Sequence, residues 1–194
     1  GAHVELRPSA EIGRGPPRVE PVKRPLDLHE ASVPVFLRYL GRLRGLLDAA
    51  QAFAVQHARP EAELLAARLA PDMLPFETQV LIAANFALRA CFPLAGRPIP
   101  PYGEFAPSVE GLRARIDRVV ALLESLDAAS FEAAESRVLE SRAGDAVVSL
   151  RAPEFLFQYA LPNFFFHLTA AYAVLRSQGV PLGKQDFDGF HAYP

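Results

Sequence analysis

The sequence predicts an all-α protein, a four-helix bundle with a small β-hairpin or extended crossover before the last helix. Three observations predict it. Four segments hold apolar residues at spacings of three and four over several turns, the mark of helices with one buried face. Loops rich in proline and glycine separate them. One stretch, 136–151, instead alternates loosely around Ala143-Gly144-Asp145, which predicts a short hairpin or an extended crossover.

Residues 1–28 carry Pro8, Pro16, Pro17, Pro21 and Pro25 among scattered charges. Such a segment buries too little apolar surface to offset the entropy of ordering, so an arm is expected there, with one domain over 29–194. The first helix begins near Ser32, a capping residue type, with Pro34 tolerated in its first turn. Val33, Phe36, Leu37, Leu40, Leu43, Leu47, Ala50 and Ala54 form its apolar face. Pro60 opens a short segment, Glu61 to Leu69, whose acids suit the positive end of a helix. After the proline-bounded turn APDMLP (70–75), Phe76 to Phe92 reads as the second bundle helix. Its alanines, Ala83, Ala87 and Ala90, imply close approach to a neighbour.

Residues 95–108 are too rich in Pro and Gly for a helix. From Ser108, a third helix carries Val109, Leu112, Ile116, Val119, Val120, Leu123 and Leu126, and Asp127 starts a further turn containing Phe131. Ala152 to Gly179 is the most apolar and aromatic run. Pro162 divides it, because proline inside a helix lacks one N–H and clashes with the preceding turn. A short segment to Leu161 is therefore expected, with a kink or restart at Pro162 and a helix to about Gln178, ended by Gly179. Phe166, Ala170, Ala173 and Val174 are its expected core stripe. Phe187, Phe190 and Tyr193 are expected to hold the closing tail on the surface.

Composition narrows the function classes. Of 194 residues, 51% are hydrophobic and 22% charged, and the net charge is −2. There is no basic field for nucleic acid and no polybasic patch for a membrane surface. No run reaches the 18 or so apolar residues of a membrane span, and the opening residues lack a signal peptide's apolar stretch. The single cysteine, Cys91, excludes an internal disulfide and suits the cytoplasm. It sits at the apolar end of a helix, where a buried thiol is the expected role.

The candidate chemistry centres on His167. Of five histidines it alone lies inside a strongly apolar helix. It reads as a core histidine satisfied by a neighbour, or as a ligand-binding residue or weak metal candidate. Asn163 stands four residues earlier on the same helical face. Gln79 and Asn85 are amides inside the apolar second helix. A buried amide must find partners, so each is structural or faces a ligand. No His-x-x-x-His, His-Glu-x-x-His or Cys-x-x-Cys spacing occurs. No nucleophile elbow and no phosphate-cradling glycine loop occurs either.

SVPVFLRYL (32–40), ARLAPDMLPFETQV (67–80), ALPNFFFHLTAAYAVLR (160–176) and GVPLGKQDF (179–187) together resemble one domain-of-unknown-function family of the DinB-like, YfiT-type metalloenzyme superfamily. The likeness spans about residues 30–187 in order. It implies a DinB-like bundle with a long crossover, often dimeric. In the wider superfamily three histidines, one on the second helix and an i, i+4 pair on the fourth, bind a divalent metal in thiol-dependent transferases and isomerases. Carried over, the fourth-helix pair falls on Asn163 and His167, and the second-helix position near Asn85 or Gln79. One histidine of three is present. The expected reading is a small-molecule-binding bundle with a degenerate metal site lined by Asn85, Asn163, His167 and Gln79. A metal-dependent transferase or hydrolase and a non-catalytic homodimeric scaffold are the alternatives.

Overall fold

The computed structural model describes residues 26–194, and the arm expected over 1–28 lies outside the described residues except for its last three. Of these, Leu28 is buried in the bundle. Four long helices carry the apolar stripes: α1 (Val33–Gln56), α3 (Phe76–Leu94), α4 (Val109–Glu124) and α6 (Leu161–Ser177), with the short α2 (Glu61–Ala66) between the first two. α3 is central, packing most extensively on α6 and next on α4, while α1 closes against α4. Among the described residues no helix is long and apolar enough to cross a membrane.

Local chemistry sets the ends. Ser32 does not cap α1 as expected; its hydroxyl donates back to the Leu28 carbonyl, which anchors the entry to the helix. Ser108 does cap α4, its oxygen accepting from the Gly111 N–H at 3.0 Å. α3 runs past Phe92 to Leu94 with Pro93 in its last turn. The alanines expected to allow close approach, Ala83, Ala87 and Ala90, are fully buried within the chain's own core. Phe36 of α1 meets Phe164 of α6 edge to face at 4.9 Å in the centre of the bundle.

After two 3-10 turns (Ala128–Phe131 and Ala134–Ser136), β1 (Val138–Ala143) and β2 (Ala146–Arg151) form the expected antiparallel hairpin. Its turn uses Gly144 at φ 62°, a left-handed conformation that costs glycine little. The chain then enters α5 (Ala152–Glu154) and a π turn (Phe155–Ala160) that runs straight into α6. The division expected at Pro162 is present as a change of helix type and not as a break: α6 begins at Leu161 with Pro162 in its first turn. A wider turn just before the proline opens the hydrogen-bond ladder where its missing N–H and ring would otherwise break an α-helix.

Phe166, placed in the core stripe by periodicity, is 57% exposed and lines an apolar groove with Leu69 and Met73. Ala170 and Val174 of that stripe are buried as expected and Ala173 is half-buried, while Phe164, His167, Leu168 and Ala171 complete the buried face of α6. Two of the three expected aromatics, Phe187 and Phe190, hold the tail on the bundle. α7 (Lys184–Asp188) sets Phe187 against Tyr39 and Tyr172, and Phe190 lies under the Arg38 guanidinium at 3.6 Å. Tyr193 stacks on His191, its neighbour in the tail.

Candidate functional site

His167 lies on the buried face of α6, 9% exposed. Its Nδ1 is 2.7 Å from Oε1 of Gln79, on the facing α3. The amide of Gln79 is oriented by its other end, where Nε2 donates to the Leu74 carbonyl at 3.2 Å in the turn before α3. With an acceptor oxygen facing the ring, Nδ1 carries the proton and Nε2 keeps the lone pair. Nε2 has no hydrogen-bond partner among the described residues. No side-chain nitrogen or oxygen there is both sealed and unpartnered, so Nε2 opens to solvent-reachable space. Phe86 lies nearly parallel to the ring at 6.1 Å and Phe166 meets it edge-on at 5.1 Å. Burial, and secondarily the positive charge of Arg89, hold its pKa below the usual 6.5. The imidazole is therefore neutral at neutral pH.

Of the residues expected around His167, Gln79 is the one that touches it. Asn85 stands six positions along α3, about 240° around the helix and about 9 Å along its axis. It faces α4, where its Oδ1 accepts from Arg115 Nη2 at 2.8 Å and Nε at 3.3 Å. Asn163 turns its Nδ2 onto the Tyr159 carbonyl at 2.8 Å, within the π turn. Cys91 is fully buried, and burial pushes its thiol far above the ordinary range, so it remains protonated.

Two arginines that belong to no sequence motif also stand beside these residues. Arg89, one turn beyond Asn85, reaches across to the hairpin. Its Nη2 donates to Ser141 Oγ at 2.7 Å, to the Arg142 carbonyl at 2.6 Å and to Tyr159 Oη at 3.1 Å, while its guanidinium lies 4.3 Å from the Phe86 ring centre. Arg115 of α4 is 8% exposed. Tyr102 and Phe105, from the 95–108 loop, bring their ring centres to 5.9 and 5.6 Å of its guanidinium carbon. Gly103 between them has φ 80°, the conformation that turns the loop so that both rings reach the same guanidinium. Burial lowers the Arg115 pKa and raises that of Tyr102, the latter opposed by the charges of Arg89 and Arg115. A signal for Arg115 was present: it stands three after Leu112 and four before Val119, inside the apolar stripe.

The comparisons with known proteins agree on the fold. A family model described as a domain of unknown function, DUF1993, matches residues 28–188. The crystal structure of a DinB family member protein from Shewanella denitrificans is 32% identical, covering 86% of this chain and 94% of that one, with a TM-score of 0.78. No curated protein matches the chain. The chain belongs to the domain-of-unknown-function family DUF1993 and has the fold of the DinB family.

Proposed function

We propose that this chain is a small-molecule-binding bundle built on a degenerate metal site, with His167 as the side chain that meets the ligand. The observation that carries this reading is the Gln79–His167 pair. It holds a buried, neutral imidazole with one nitrogen fixed and the other open as a hydrogen-bond or proton acceptor. Cys91, a lone buried thiol, supports a cytoplasmic setting.

The donors do not fit a divalent metal. The Gln79 oxygen is given to His167, the Asn85 oxygen to Arg115, and Asn163 is turned onto a backbone carbonyl. Neutral amides are poor partners for zinc or nickel, and the Arg89 charge that already acts on His167 repels a dication. Among the described residues no group of three or more His, Cys, Asp or Glu is placed to hold a metal ion. A metal-dependent transferase or hydrolase needs a ligand set that these side chains do not supply. A scaffold dimerising through the alanines of α3 is also disfavoured, because those alanines are buried within the chain.

Two titrations test the reading on the untagged protein, each beside His167→Ala. Calorimetry with zinc or nickel chloride should show no stoichiometric uptake that depends on His167. A thermal-shift series with neutral fragment-sized molecules should find stabilisers of the wild type that His167→Ala no longer feels. Tight metal binding abolished by the substitution would instead restore the metalloenzyme, and a complete absence of His167-dependent fragments would remove the ligand role.

A further inference from the structure

The seam between α3 and α4 buries a positive charge that no carboxylate among the described residues neutralises. Arg115 is more than nine-tenths buried, yet the ion pairs among those residues involve Arg44, Arg59, Arg113 and His191. An unpaired buried cation is costly, and proteins meet that cost with a counter-charge and hydrogen bonds. Here one amide oxygen, Asn85 Oδ1, occupies the Nε and Nη2 edge of the guanidinium. Nη1 has no acceptor among the described residues and is not sealed from solvent.

The surroundings add donors rather than acceptors. Arg89, also without a carboxylate, stands one turn from Asn85 on α3 and spends its Nη2 on the hairpin and Tyr159. The Tyr102 hydroxyl, close enough to feel both guanidinium charges, has no hydrogen-bond partner among the described residues. Two aromatic rings, Tyr102 and Phe105, flank the Arg115 guanidinium from the loop. Two cations, a free hydroxyl and two rings match an oxyanion attached to an apolar body, because a guanidinium offers parallel N–H donors to the oxygens of a carboxylate or phosphate.

We propose that Arg115, Arg89 and Tyr102 form the anion-binding end of the ligand site, taking the carboxylate or phosphate group of a small molecule whose apolar part lies against Tyr102 and Phe105. This rests on the small-molecule reading above and names its ligand class. Arg115 is the main binding residue, Asn85 positions it, and Tyr102 supplies a second donor from the loop.

The test is calorimetric titration of the full chain with sodium phosphate, sodium benzoate and neutral benzamide, ionic strength being held constant with chloride. One or both anions should bind saturably at one site per chain. Phosphate alone would mark a phosphate ligand, and benzoate alone a carboxylate. Arg115→Met should weaken that binding by about tenfold or more, the loss expected when a charge-assisted hydrogen bond is removed. Tyr102→Phe, a surface-loop change that preserves the fold, should weaken it by a smaller factor and keeps the proposal testable if Arg115→Met fails to fold. No saturable anion binding, or binding unchanged in either folded variant, would overturn the proposal. Benzamide matching benzoate in wild type and variants would also overturn it, while leaving the small-molecule reading intact. Loss of the His167-dependent fragments is the separate result that removes that reading.

Discussion

Arg113 and Arg115 are two residues apart on α4 and face different seams of the bundle. Arg113 looks toward α1. It meets Asp48 at 2.8 Å, Glu110 at 3.2 Å and the Gln51 amide oxygen at 2.8 Å. Burial alone would lower its pKa, but the two carboxylates raise it on balance. Arg115 looks toward α3, is more deeply buried, and has one amide and no acid. The chain has 22 acidic residues, so the missing counter-charge is a property of that seam and not of the composition. A surface-side arginine completed by its own chain is structural. A buried one that keeps a guanidinium nitrogen without an acceptor among the described residues points to a partner from outside.

The comparison can be broken first at Asn85. Asn85→Leu removes the acceptor that Arg115 holds and should cost about 3 kcal/mol, as a buried charge loses its compensation. Urea unfolding that shows no loss would mean that Arg115 is solvated after all. Next comes the neutral pair. Gln79→Leu leaves the His167 Nδ1–H and the Leu74 carbonyl without their partner, for a loss of about 2 kcal/mol by the same measurement. On the α1 side the effect should be small. Asp48 is 60% exposed and Arg113 keeps Glu110 and Gln51, so Asp48→Ala should cost less than about 1 kcal/mol. A larger loss would make the two arginines alike.

The subtlest difference is in pH. The folded-state pKa of His167 lies below its unfolded value of about 6.5. Its contribution is therefore fully present above pH 6.5 and is lost as pH falls from there toward the lower folded value, because the unfolded state binds the proton first. The thermal midpoint should decline over that acid interval more steeply in the wild type than in His167→Ala. Equal slopes would place a charged imidazole in the fold.

The sequence carried the bundle because its information is periodic: stripes on α1, α3 and α4 needed only the 3.6-residue repeat, and the hairpin only its alternation and glycine turn. Pro162 showed the limit of a local rule. A proline predicts interruption, but whether the chain restarts or widens into a π turn depends on what the preceding residues can pack against, here Phe155 and Leu156 in the core. Phe166 failed for a related reason: Ala170 and Val174 of the same stripe are buried, but how far the buried face extends toward the start of α6 is set by the neighbouring helices, which there cover Phe164 and leave Phe166 outside. His167 was legible as a polar residue in an apolar helix. Its partner was not, because choosing Gln79 over Asn85 requires the register between α3 and α6. Arg115 is legible as a charge within an apolar stripe, a signal that metal-ligand spacings do not contain. Tyr102 had no periodic signal at all, being delivered by a loop around Gly103.

The most direct measurement uses Asn85→Asp, which places a carboxylate of the same shape where Arg115 already bonds to an amide oxygen. Thermal midpoints of wild type and variant would be compared with and without phosphate at matched ionic strength. If Arg115 lacks a counter-charge that a ligand normally brings, the variant should melt higher without phosphate, by about 3 °C, and phosphate should no longer raise its midpoint. An unchanged or lower midpoint, with the same phosphate response as the wild type, would contradict an incomplete cation site at the α3–α4 seam.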